Sequence, residues 1–180
     1  MTSIESLDLA TESFSFTIPR LRTARLVLRE PRAADFERFA IEAAEPRARA
    51  YMGGAIDRRE AWKRFLTTAG SWVVWGMGWW TVELPGTGFV GSVGIFRRES
   101  RPEIEIGWVI QRAHWGKGFA CEAARAALEF AHQERGASRV IAHIAKGNDA
   151  SISVAAKLGM RCAGEVDFYG DVDWQYVSDR

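Results

Sequence analysis

The chain has 180 residues, 47% of them hydrophobic and 26% charged, with 24 Lys+Arg against 23 Asp+Glu for a formal net charge of +1. This is enough chain for one domain with a real core, and its composition is that of a globular protein rather than a disordered one. The near-neutral balance excludes a net field that would gather nucleic acid or an anionic membrane, so any basic site must be local.

Residues 1–18 read as a loosely held N-terminal arm and 19–180 as a single domain. The start, MTSIESLDLATESFSF, has neither the basic n-region nor the apolar h-region of an export signal. RLVLRE (25–30) alternates apolar and charged residues, the mark of a half-buried strand. Arg20, Arg22, Arg25, Arg29 and Arg32 alternate along it and its flanks and read as a solvated edge. Asp35 is placed to cap a helix whose Phe36, Phe39, Ala40 and Ala43 share one face. Asp57 is placed to cap a second, with Trp62, Phe65 and Leu66 along one side.

A strand-rich block follows. WWTVEL (79–84) and FVGSVGIF (89–96) are separated by PGTG, a turn signal because Gly tolerates φ > 0. In EIEIGWVI (103–110), Ile104, Ile106, Trp108 and Ile110 face one way, and Glu103, Glu105, Gly107 and Val109 the other. Trp72, Trp75, Trp79 and Trp80 read as core rather than as the floor of a pocket. After HWGKGFA (114–120) a helix runs to about residue 135 and stops at Gly136. RVIAHIA (139–145) is a strand, Asn148 caps a helix ended by Gly159, and RCAGEV and DWQYVS are two short final strands. The order predicts a mixed sheet of six to seven strands with about four helices on its faces, an α/β (α+β) fold.

Cys121 and Cys162 are the two cysteines, without a CxxC, and no His/Cys cluster has metal-ligand spacing. A soluble, cytoplasmic protein in a reducing compartment is expected, with no metal, no nucleic acid and no membrane partner. The most apolar window, SWVVWGMGWWTVEL, is glycine-broken and too short to span a bilayer.

The loop HWGKGFA has the chemistry of an anion site. Gly116 and Gly118 permit tight turns and close approach, and the next helix offers unpaired N–H groups and the positive end of its dipole. Lys117 adds a point charge. The nucleotide P-loop fails because Gly118, not Ser or Thr, follows Lys117. The dinucleotide fingerprint fails because Cys121 stands at the third glycine.

EIGWVIQRAHWGKGFACEAARAALEFA resembles the acyl-CoA segment of the GNAT N-acetyltransferases, a strand leading through a (Q/R)xxGxG/A loop into a helix. NDASISVAAKLGM resembles that family's second signature, and PRLRTARLVLREPRAADFERF the first strand and helix of its ribosomal-protein N-terminal (Rim-type) branch. The resemblance implies a strongly twisted sheet, splayed near 109–111, that takes acetyl-CoA as acyl donor. It also implies that Trp108, Val109 and Ile110 pair with the pantetheine arm. The amides of Gly116, Lys117, Gly118, Phe119 and Ala120 would cradle the pyrophosphate, with His114 and Trp115 beside them. The first Q/R of the motif falls on Ala113, which costs one side-chain contact.

Acetyl transfer to an amine needs a base, an oxyanion donor and a proton for the departing thiolate. The resemblance puts Glu105 at the base position, with Glu103 on its face, and a backbone N–H freed by a bulge in 108–110 at the oxyanion. Ser151 stands as the acid and Asn148 as a pantetheine contact; each also has an ordinary role in starting its helix. Tyr169 or Tyr176 is the alternative acid, and Asp167, Asp171 or Asp173 the alternative base. The expected activity is N-acetylation of a protein N-terminus or a small amine, by a monomer or homodimer. A CoA-sensing or partner-binding module without catalysis is the alternative.

Overall fold

The computed structural model describes residues 16–99 and 101–180, so most of the N-terminal arm lies outside the described residues. Eight strands make one sheet: β1 (Leu21–Arg22), β2 (Val27–Arg29), β3 (Trp79–Leu84), β4 (Gly88–Arg98), β5 (Arg101–Ile110), β6 (Arg139–Ala145), β7 (Arg161–Phe168) and β8 (Asp171–Asp179). Their spatial order is β1-β2-β3-β4-β5-β6-β8-β7. Four helices accompany them: α1 (Phe36–Ala43), α2 (Arg58–Trp75), α3 (Phe119–Gln133) and α4 (Asp149–Lys157). The class agrees with the sequence reading. The additional strand is β1, whose two residues are too few to show a period.

The helix signals held unevenly. The Asp57 carboxylate accepts from the Glu60 N–H at 2.7 Å and starts α2, which runs on to Trp75 and stops at Gly76 with φ 64°. Asp35 makes no cap to α1. It is buried against the Arg29 guanidinium, with two bonds of 2.8 Å, and also accepts from the Arg32 N–H and the Thr81 hydroxyl. Arg29 is therefore an interior residue, 5% exposed, and not part of a solvated edge. With Arg29 buried, Asp35 is held there rather than at a cap, because a buried guanidinium left without its partner costs about 3–5 kcal/mol.

The two faces of the sheet differ in chemistry. One carries Trp80, Val82, Val93, Ile95, Ile104 and Ile106, packed with Ala123, Ala124, Ala127 and Phe130 of α3. The alanines let that helix lie close, and each large aliphatic side chain so buried contributes roughly 1.5–3 kcal/mol. Trp72 at the end of α2 joins this core edge-on to Trp80. Trp75 points outward, 54% exposed. The opposite face holds Trp79, Thr81, Ser92, Phe96, Glu105 and Gly107 by strand alternation. Here Gly94 and Gly107 pair, and a Cβ on either would lie 2.6 or 2.8 Å from the Trp79 ring. Those two glycines make the room in which Trp79 lies flat and stacks on Phe96.

One junction is incomplete. β5 and β6 run parallel but share only the pairs Ile104↔Val140 and Glu105↔Ile141. Beyond Glu105 the strands part, earlier than the splay expected near 109–111.

Candidate functional site

The walls of that gap follow from strand periodicity. The Gln111 N–H donates to the Val90 carbonyl, which fixes Glu105, Gly107 and Val109 as residues whose backbone groups face β4. Trp108 and Ile110 therefore aim their backbone groups into the gap. On the other wall, the bond from Arg180 N–H to the Ser138 carbonyl sets the phase of β6, so His143 and Ala145 face the gap. The register shift of β4 and β5 falls between Phe96 and Arg98, not at 108–110. Free amides arise from the parting of β5 and β6 rather than from a bulge. Val109, expected to pair with the pantetheine arm, instead turns its backbone to Ser92 of β4, and its half-buried side chain lies on the Trp79 face.

The gap opens toward the start of α3. Gly116 and Gly118 both adopt left-handed backbone, φ 75° and 79°, which residues with a Cβ rarely tolerate. Gly118 occupies the cap position without any side-chain cap, leaving the first-turn amides of Phe119, Ala120 and Cys121 unpaired. No described residue lies within 4 Å of a Cβ built on Gly116, so the turn is open on that side. This fits a diphosphate group. Lys117 folds back, its Nζ donating to the Ala113 carbonyl at 3.1 Å, so its charge is an accessory. Trp115 donates from Nε1 to the Ile110 carbonyl at 2.6 Å. Burial, with Lys117 and Arg38 nearby, lowers the pKa of His114.

On the far face, Glu105 is not the solvated carboxylate that strand alternation alone allows. It is 5% exposed, and the Arg98 guanidinium donates to both its oxygens at 2.6 and 2.8 Å. Burial pushes its carboxyl up, but Arg98 and His143 outweigh this and hold the pKa below the ordinary glutamate value. His143 Nδ1 lies 3.2 Å from the same carboxylate, without the angle of a hydrogen bond. Its ring stacks on Phe168 at 4.5 Å, so the β7–β8 hairpin curls over this face. Arg98 sits over the Phe168 ring at 4.8 Å.

Asp173 differs from its neighbours. It is 8% exposed and pairs with Ala145 at the open end of the gap. Its side chain holds no hydrogen bond or ion pair among the described residues. Burial, with Asp171 and Glu105 adding to it, raises its pKa. Glu103 is exposed near the far end of β5. Asp167 accepts from the Gly170 N–H within the hairpin tip, and Tyr169 is 69% exposed there with φ 56°.

At α4, Asn148 does what its sequence position suggests, its Oδ1 accepting from the Ser151 N–H at 3.2 Å. The Ser151 hydroxyl has no hydrogen bond to protein among the described residues. Burial raises the pKa of Tyr176, which faces the α3 side. Sequence reasoning singled out neither Arg98 nor His143. The alternation of 139–145 already sets His143 opposite Val140, Ala142 and Ile144, which was the available signal. Tyr51 was missed as well; its hydroxyl donates to the Gly147 carbonyl at 2.8 Å, across 96 residues of chain.

Residues 25–161 match the family model described as acetyltransferase (GNAT) domain. The chain is 37% identical over 127 residues to YkkB, an uncharacterized protein of Bacillus subtilis (strain 168), covering 64% of this chain and 69% of that one. It superposes on the acetyltransferase from Agrobacterium tumefaciens with a TM-score of 0.82 at 31% identity, over 94% of this chain and 99% of the other. The fold is also that of a ribosomal L7/L12 alpha-N-protein acetyltransferase solved with coenzyme A. There the TM-score is 0.75 at 14% identity, over 89% and 98% of the two chains.

Proposed function

The chain belongs to the GNAT acetyltransferase family, and from that premise we propose that it moves an acetyl group from acetyl-CoA to a primary amine held on the Trp79 face. One observation carries the reading: the sheet parts after two β5–β6 pairs, and the gap leads to an uncapped, glycine-bounded helix start. Acetyl-CoA supplies the activated thioester. The amides of residues 116–120 would hold its diphosphate, and the inward backbone of Trp108 and Ile110 would align its pantetheine arm as an added strand.

The same two N–H groups are the donors available to a carbonyl oxygen in the gap, where such contacts are worth about 2.7–4 kcal/mol in other enzymes. Asp173 is the base. A general base should have a pKa near working pH and be free to accept. Asp173 is unpaired with its pKa raised, whereas Glu105 is locked to Arg98 with its pKa lowered. Glu105 and Arg98 then act as a fixed charge pair beneath the acceptor. Ser151, with its hydroxyl free at the start of α4, is positioned to give a proton to the departing sulfur. The acceptor is a protein N-terminus or a small amine, and two unpaired cysteines support a reducing, aqueous setting.

The test is calorimetric titration with acetyl-CoA, followed by thiol release across a panel of peptides and small amines. Amine-dependent release establishes the transferase. Tight binding with no release across the panel would make the chain a CoA-sensing module, and no binding would remove both readings.

A further inference from the structure

The β1–β2 turn reaches nearly a hundred residues along the chain to grip the phosphate cradle. The Glu122 carboxylate, in the first turn of α3, accepts from the Thr23 hydroxyl at 2.6 Å and the Arg25 N–H at 2.9 Å. Arg25 adds Nε at 2.7 Å and Nη2 at 2.6 Å to its other oxygen. Nη1 of the same guanidinium donates to the Lys117 carbonyl at 3.0 Å. The guanidinium also lies over the Phe119 ring at 4.7 Å, and a Cβ on Gly118 would stand 3.4 Å from Nη2. One side chain thus touches or lines residues 117, 118, 119 and 122.

We propose that Arg25 is a positioning residue for the acyl donor, which makes the helix start fit for an anion by cancelling Glu122 and turning the Lys117 carbonyl away. The inference rests on the reading of 116–120 as the CoA diphosphate cradle. An unpaired carboxylate in the first turn of a helix stabilises that helix, but it repels a phosphate docking on the same turn. Glu122 is largely buried beside the cradle, its side chain 16% exposed. Burial raises its pKa, and Thr23 and Arg25 outweigh burial and keep it ionised. Its negative charge is therefore permanent at neutral pH and needs a permanent partner, which an arginine supplies. The carbonyl bond acts in the same direction. With its oxygen drawn to Arg25, the Lys117 peptide presents its positive side toward the ligand.

The experiment compares two donors, acetyl-CoA and S-acetylpantetheine, which has the thioester arm without phosphates. Arg25→Ala should raise KM for acetyl-CoA by about 10- to 100-fold, the usual range for one contact between charged groups. The kcat at saturation and the KM for S-acetylpantetheine should stay within about twofold. Adding Glu122→Gln to Arg25→Ala should restore most of the lost affinity, and Arg25→Lys should fall between. Arg25→Gln, nearer in size, serves if the alanine variant does not fold. An unchanged KM for acetyl-CoA, or an equal loss for both donors, overturns the role of Arg25. Failure of the unaltered chain to bind CoA at all overturns the cradle reading beneath it.

Discussion

The two sides of the sheet are built from different materials. On the α3 side, the groups proposed to meet the acyl donor are backbone amides, freed by two left-handed glycines and by strands that part. On the Trp79 side the buried polar groups are side chains: the ion pairs Arg29–Asp35 and Arg98–Glu105, and the unpaired Asp173. A backbone site is indifferent to most side chains and fails when the backbone is obstructed. A side-chain site fails when one partner is removed, because the other is left charged and dry.

The most severe test of that contrast is Asp35→Ala. It leaves the buried Arg29 with Glu83 as its remaining ion-pair partner and should cost roughly 3 kcal/mol or more by urea denaturation. A loss below 1 kcal/mol would mean the network is not what holds this face. On the other side, Gly118→Glu should weaken CoA binding more than about 100-fold by calorimetry. Its left-handed backbone costs only about 1–2 kcal/mol in a residue with a Cβ, so the fold persists. Retained CoA affinity would remove the loop from the site.

This division explains what was legible in the sequence. Glycine spacing and helix starts are local, so residues 114–120, Asn148 and the strands at 79–84 and 139–145 could be read directly. The charged cluster joins Arg98, Glu105, His143 and Asp173 from four strands, and no local pattern announces such a meeting. Asp35 misled for the same reason: next to a helix start, a cap is the local answer, while Arg29 and Thr81 are remote ones. Arg25 was similarly hidden, since its partners lie on α3 and the loop before it.

Two smaller effects sharpen the comparison. Asp173→Asn should lower kcat/KM about 100-fold and remove the acid limb of the pH–rate profile. Glu105→Gln should keep that limb and instead lower Tm, because it strips Arg98 of its partner. An acid limb lost in Glu105→Gln and kept in Asp173→Asn would exchange the two roles. The smallest effect is expected at Glu42 of α1, 9% exposed with Oε1 buried and unbonded. Burial raises its pKa, so its contribution to stability is present below the ordinary glutamate range and lost as pH rises through the folded value. Glu42→Gln should therefore raise Tm by about 2–4 °C at neutral pH, the shift that ~1 kcal/mol gives in a domain of this size. Near pH 4 the gain should vanish. Asp35 has the opposite dependence: its pKa is lowered, so its stabilisation holds at neutral pH and is lost in acid.

The hydrogen bond from Tyr51 to Gly147 has a mechanical meaning. At one end, the halves of the sheet are riveted by two strand pairs. Toward the other, α1 and the segment after it are fastened to the turn that follows β5, through Gln111 to the Arg38 carbonyl and Arg112 to Glu45, and to the turn beyond β6 by one phenol. A slot clamped strongly at its base and lightly at its mouth behaves as a calliper. Its jaws are held by a strand ladder where the strands still touch and by single side-chain bonds at the end where the acyl group and the amine are proposed to meet.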